Sequence, residues 1–242
     1  MKISFTLILL FFLCISLSYA QSDQQIDTAS NAYRAKKFFN AKISHQSRLF
    51  NGSPFEEYYY NVVGSANFQD LTTFSVGWLV YDGVRFDSIP MMYNLHQEKL
   101  LLPLTEFTKY SLVNEKVSDF HFNDHHFQYI HILDTTKTSV RSGFFDVLYN
   151  GQLKILAKRT KGIYQKIENQ TKLFFLFSSK TSYYLKRDEK WDVITSQSSL
   201  LNYFKDKKPA LESYIKANKI KYKKDPERAM SLIAQHYETL IR

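Results

Sequence analysis

Two residues, Asp82 and Gly83, separate the runs Trp78-Leu79-Val80-Tyr81 and Val84-Arg85-Phe86. An Asp-Gly pair accepts the positive φ angles of a two-residue turn, and branched and aromatic residues on either side favour extended backbone. The segment therefore predicts a β-hairpin. The stretch from Phe74 to Leu104 reads as strand, tight turn, strand, loop, strand. Similar phrases occur at Leu49-Phe50-Asn51-Gly52 and at Leu148-Tyr149-Asn150-Gly151. Their separations, 31 and then 68 residues, are not a fixed period, which argues against a propeller or solenoid. The phrases predict further hairpins, over 47–60 with its turn at Asn51-Gly52 and over 144–158 with its turn at Asn150-Gly151.

The rest of the middle of the chain fits the same scheme. Strands are expected over 99–104, 109–113, 117–122 and 127–133. A strand over 172–177 and a hairpin over 183–194, turning at Asp188-Glu189, follow. The unbroken run Trp78 to Tyr81 suggests a strand covered on both faces, and the partial alternation after Gly83 suggests one wet face. Aromatic residues, 16% of the chain, favour strands and suit a β-rich core.

From about residue 196 the pattern changes to helical. Pro209 suits the first turn of a helix with Leu211, Tyr214 and Ile215 on one side. Asp225-Pro226-Glu227 joins an N-cap acid, a first-turn proline and a second acid at the positive end of the helix dipole. Ala229, Leu232, Ile233, Tyr237, Leu240 and Ile241 mark an apolar face. The expected fold class is α+β, mainly β: antiparallel hairpins forming a roll, sandwich or open barrel, with a basic helical C-terminal segment. The expected organisation is a signal peptide over 1–20, a helix or tail over 21–45, the β body over 46–195 and helices packed on it over 196–242.

The first twenty residues read as a secretory leader. Lys2 precedes an apolar run from Ile3 to Leu17, and Ser18-Tyr19-Ala20 puts small residues where a signal peptidase reads. That run is shorter than the roughly 20 residues a membrane-spanning helix needs. Export to the periplasm, envelope or medium is expected, with no transmembrane segment after cleavage. Cys14, the single cysteine, lies within the leader and follows Phe11-Phe12-Leu13, a poor context for lipid attachment. Cleavage leaves a chain with neither disulfides nor a thiol nucleophile, which must be stabilised by its core.

Losing Lys2 takes the net charge from +9 to about +8. For an exported chain this favours anionic lipids, acidic glycans or an acidic protein over nucleic acid as partners. Lys205 to Lys224 holds eight lysines with Tyr214, Ile215, Ile220 and Tyr222 interleaved. It is a candidate peripheral membrane contact, to be weighed against an ordinary helix pair packed by its apolar side.

Candidate site residues fall in two groups. Tyr58, Tyr59, Tyr60 and Trp78 supply aromatic surface for stacking on a sugar or a partner. His121, His125 and His126, near Asp119 and Asp124, are candidate metal donors: a turn at Asn123-Asp124 would pair His121 with His126 across two strands. The spacing matches no known ligand signature. Gly-x-Ser-x-Gly, His-Glu-x-x-His and Gly-rich phosphate loops are absent, and nothing calls for a cofactor.

Three phrases carry a resemblance: Ser47-Arg48-Leu49-Phe50-Asn51-Gly52, Val80-Tyr81-Asp82-Gly83-Val84 and Phe145-Asp146-Val147-Leu148-Tyr149-Asn150-Gly151. With the tail phrases Lys207-Lys208-Pro209-Ala210-Leu211 and Tyr214-Ile215-Lys216-Ala217-Asn218-Lys219, they are similar to a group of exported bacterial proteins with no established activity. The resemblance implies a bacterial envelope protein and assigns no site residue. The function expected is non-enzymatic binding of a partner protein or an amphiphilic or glycan ligand. Two alternatives stand beside it: a carrier with an apolar cavity lined by Trp78, Met91, Met92 and Phe175, and a hydrolase with an unrecognised site.

Overall fold

The computed structural model describes Arg34 and residues 48–58, 62–133, 140–169 and 172–241. Apart from Arg34, the expected N-terminal helix or tail lies outside them, as do the leader, Tyr59 and Tyr60. The chain divides into two units, 1–47 and 48–242, and the sheet and the C-terminal helices all belong to the second.

Twelve strands form one open, mostly antiparallel sheet. They are β1 (Ser53–Pro54), β2 (Val62–Val63), β3 (Ser75–Tyr81), β4 (Val84–Asn94), β5 (Lys99–Pro103), β6 (Lys109–Ser111), β7 (Val117–Phe122), β8 (His125–Ile130), β9 (Gly143–Asn150), β10 (Lys154–Glu168), β11 (Lys172–Arg187) and β12 (Lys190–Ile194). Their spatial order is β1-β6-β5-β4-β3-β7-β8-β9-β10-β11-β12, with β2 added parallel to β11. Three helices follow: α1 (Gln197–Tyr203), α2 (Lys208–Ala217) and α3 (Pro226–Leu240). Among the described residues no helix is long and apolar enough to cross a membrane.

The sheet curls on itself. Four strands lie between β4 and β10 in the sheet order, yet Lys161 N donates to Leu95 O at 3.4 Å. In the β4–β5 turn, Glu98 accepts from Phe144 N at 2.8 Å and pairs with Lys158. The concave face is filled largely by rings. Phe120 stacks on Phe127 with centroids 4.8 Å apart, and Tyr93 meets Phe120, Phe127 and Phe144 edge to face. Phe68 closes against Phe122 and Phe127. Such pairs add roughly 0.5–1.5 kcal/mol each beyond the area they bury.

A second cluster joins Leu153, Ile155, Leu185 and Ile194 to the helices through Leu200, Phe204, Leu211, Met230, Ile233 and Tyr237. Ser196 caps α1 in a reciprocal capping box with Ser199. Asp225 caps α3 by accepting from Arg228 N at 3.1 Å, with Pro226 in the first turn as expected. The buried face of α3 is Ala229, Met230, Ile233, Ala234 and Tyr237, whereas Leu232 is half-buried and Ile241 is exposed. Ala229 and Ala234 are small enough to let the helix approach the sheet.

The three Asn/Asp-Gly phrases play different roles. Asp82-Gly83 is the expected turn, with φ of 51° and 73°. Asn51-Gly52 is not a hairpin turn: β1 pairs with β6, with Ser53 opposite Ser111. Gly52 is needed because a Cβ there would lie 2.0 Å from Ser111 O, while the Asn51 side chain accepts a bond from the Tyr81 hydroxyl. Asn150-Gly151 does join two paired strands, and Gly151 leaves room for the carboxylate of Glu238 on α3, which accepts from Leu153 N at 2.9 Å. Trp78 to Tyr81 is covered on one face only: Leu79 and Tyr81 are buried, while Trp78 and Val80 are half-exposed. The strands expected to end near Lys158 and Phe177 run much further, so β10 and β11 pair without a break from Lys154↔Lys186 to Glu168↔Lys172.

Gly77 is the tightest glycine of β3. A Cβ there would sit 2.0 Å from His121 O and 2.9 Å from Phe122 Cβ. Gly83 has open space around it but a positive φ. Urea denaturation is expected to show a loss of about 3 kcal/mol for Gly77→Ala, because backbone cannot yield. Gly83→Ala is expected to cost about 1 kcal/mol, the strain of left-handed backbone.

Candidate functional site

At the end of β4 the chain leaves the core as Tyr93-Asn94-Leu95-His96, and an open groove of about 590 Å³ forms beside it. Asn94 is 2% exposed and lines this groove with Tyr58, Val62, Ser65, Met92 and Phe177. Its Nδ2 donates to the Tyr58 hydroxyl at 3.3 Å, and its Oδ1 accepts from Gln97 N at 2.9 Å. Tyr58, His96 and Phe177 form a triangle of rings with centroids 5.4–5.6 Å apart. His96 Nδ1 lies 3.0 Å from Lys161 O, so Nδ1 carries the proton and the ring is held by β10. At the rim Glu57 pairs with Lys109.

The 64–72 loop forms one wall. Gly64 has φ 94°, and Gln69 and Asp70 also take positive φ. Asn67 folds the loop on itself, donating through Nδ2 to Leu71 O at 2.8 Å. Lys161, 6% exposed, reaches across to Ser65 O at 2.7 Å and to the Asp70 carboxylate. The arrangement mixes aromatic and aliphatic side chains with Glu57, Ser65, Asn67, Thr72, Lys109 and one buried amide, in a volume within the range of small-ligand sites, roughly 300–1,000 Å³.

The other predicted residues lie elsewhere. Asn123-Asp124 is the turn anticipated between β7 and β8, and His121 lies opposite His126. Trp78 stands in the same row, stacked on His121 with centroids 5.8 Å apart and 5.6 Å from His126. Arg85 lies 4.1 Å above the Trp78 ring. His126 Nε2 is 3.1 Å from Asp119 Oδ1. His125, however, points to the opposite face, where its Nδ1 meets Asp146 Oδ2 at 2.7 Å and its ring packs on Phe68. The three histidines do not converge, because neighbouring residues of a strand alternate faces. No group of three or more metal-ligating side chains exists among the described residues.

Nor are the four residues expected to line a carrier cavity gathered. Met91 is in the ring-filled core, Met92 borders the groove, Trp78 is on the outer face and Phe175 is opposite Gln165 on the long hairpin. In the basic segment Leu211, Ile215, Ile220 and Tyr222 pack into the helical cluster, and Tyr214 stacks on His236, so its apolar side faces the protein. Asn94, His96 and Phe177 belong to no motif. The only sequence signal for them is polar residues closing an apolar run.

A second polar cluster is buried. Asp146, 1% exposed, accepts from Arg159 Nε at 2.8 Å and Nη2 at 2.5 Å, as well as facing His125. Arg159 also forks onto Glu227 of α3 at 2.9 and 2.8 Å, and Tyr183 donates to Glu227 at 3.0 Å. Burial alone would lower the Arg159 pKa, but the bond to Glu227 and the charges of Asp146 and Glu227 outweigh it and raise it. Burial, reinforced by the Glu227 charge and bond, raises the Tyr183 phenol well above its ordinary value. The cluster ties β9 and β10 to α3 and braces the sheet against the helix.

Compared with known protein families, with curated proteins and with solved structures, the chain matches none.

Asp146→Ala strands Arg159 with one partner and is expected to cost about 3 kcal/mol in denaturant unfolding. Alkaline pH tests the same region. A phenol with a raised folded pKa favours folding fully below the unfolded value near 10, and that contribution is lost as pH rises towards the folded value. Tyr93, raised by burial and then by the charges of Glu98 and Asp146, acts in the same sense as Tyr183. The expected result is that phenolate absorbance of these residues appears together with loss of circular dichroism above about pH 10, not before it.

Proposed function

We propose that this chain is an exported, non-enzymatic binding protein whose ligand site is the groove beside Asn94. The observation that carries the reading is the groove itself. It is about 590 Å³, lined by Phe55, Tyr58, Val62, Met92 and Phe177 together with the polar side chains of Glu57, Ser65, Asn67, Thr72 and Lys109 and the buried amide of Asn94. Asn94 directs one N–H to Tyr58 and has a second N–H for a ligand hydroxyl or carbonyl. Phe177 and Leu101 on its walls suit the apolar face of a sugar ring or a short acyl segment. The ligand class is therefore an amphiphilic molecule or a glycan fragment. Export rests on the leader-like residues 1–20.

Native mass spectrometry of protein purified from its own envelope fraction is expected to reveal a retained small molecule, and its mass identifies it as lipid or glycan. Asn94→Ala and Phe177→Ala should each weaken rebinding about tenfold, the effect of one hydrogen bond or one ring contact. A bare protein that rebinds no component of an envelope extract would overturn the reading.

A further inference from the structure

The long hairpin leaves the body of the sheet. β9 pairs with β10 only over Lys154–Ala157, and β12 pairs with β11 only over Tyr183–Arg187. Beyond those rungs β10 and β11 continue to pair with each other as an arm to Glu168↔Lys172. The β4–β5 turn touches it through Lys161 N–Leu95 O, and β2 lies beside β11 further out, through Val62↔Phe175 and Val63↔Leu176, so that only Lys166–Glu168 and Lys172–Phe174 extend beyond it as a two-stranded end. Towards its end the arm carries exposed apolar side chains. Opposed residues share a face, so Ile167 with Leu173 lies on one side and Tyr164 with Leu176 on the other. Ile167 is 68% exposed, Leu173 52% and Tyr164 46%. Among the described residues none of these four belongs to a packed cluster.

Charge identifies the occupant. Between Gly162 and Leu185 the sequence has Lys166, Lys172 and Lys180 against the single acid Glu168. The three lysines make no ion pair among the described residues. Aliphatic side chains near the end of the arm on one face, with a tyrosine and two lysines on the other, form an arrangement that fits a bilayer interface. Inserted end-on, the arm puts Ile167 and Leu173 of one face into the acyl boundary while Lys166 and Lys172 of the other meet anionic headgroups. A second copy of the arm lying edge to edge would bring like charges together instead. The basic segment before α3 lacks this pairing, because its apolar residues are already packed.

We propose that the β10–β11 arm is an anchor for an anionic membrane surface, inserting by its tip and leaving the body of the protein in water. The test is co-sedimentation of the purified full chain with vesicles of phosphatidylglycerol and phosphatidylcholine, compared with phosphatidylcholine alone, at low and high salt. Binding is expected only with the anionic vesicles and should weaken with salt. Ile167→Ser with Leu173→Ser should reduce it by about tenfold, and Lys166→Gln with Lys172→Gln by several-fold. Lys221→Gln with Lys223→Gln should leave it unchanged. In a separate variant, Ile167→Trp should shift its fluorescence to the blue on binding and be quenched by brominated acyl chains. All these positions are exposed, and unchanged thermal melting confirms that each variant is folded. Absence of sedimentation at low salt would overturn the proposal. So would tip variants that bind like the parent, or a tip whose substitution changes only self-association in sedimentation velocity. None of these outcomes bears on the Asn94 groove, whose ligand is tested separately.

Discussion

A sheet this wide can bury one face against itself only by curling, and the space inside must then be filled from strands far apart in the order. Aromatic rings do that here. Phe120 and Phe127 lie opposite each other on β7 and β8, and Tyr93 reaches them from β4. Edge-to-face packing suits rings arriving from different directions, since each ring edge is attracted to a neighbouring face. The curl in turn brings the β4–β5 turn onto β9 and β10, where Glu98 and Lys161 fasten it. The groove and the root of the arm both form at that seam.

The helices are held by a different device. Their apolar faces cover the second cluster, but the polar link is Asp146–Arg159–Glu227, with Glu238 tied to the β9–β10 turn. Removing an arginine and two acids from water is costly, and the fork geometry with several charged bonds offsets that cost. Lys158 gives a contrast. Burial lowers its pKa, while its single pairing with Glu98 only partly opposes the effect.

Several residues singled out in the sequence have structural work in place of, or beside, a functional one. His125 braces Asp146, and Trp78 is sandwiched by His121 and Arg85. Among the described residues of the predicted set Tyr58 lines the groove, and Asn94 and Phe177 beside it, with His96 packed on Tyr58, come from distant parts of the chain. Their assembly depends on the curl, which no local pattern encodes. The arm was equally hidden: two apolar runs separated by polar residues read as two strands, although Ser178 to Ser182 simply continue β11.

Local chemistry alone determined much of this protein. Asp82-Gly83, Asn123-Asp124 and Asp188-Glu189 specify turns because their backbones accept positive φ at Asp82, Gly83, Asn123, Asp124 and Asp188. Asp225-Pro226 starts α3 because it satisfies free N–H groups. The β-rich body and helical end follow from side-chain period, which needs no long-range contact to be read. Tertiary structure decided the rest. Whether Asn-Gly is a turn or a close approach depends on which strand arrives beside it, as Gly52 against Ser111 and Gly151 against Glu238 illustrate. Pairing partners, the seam and the groove arise between residues far apart in the chain, and such pairings are fixed by packing the whole core at once.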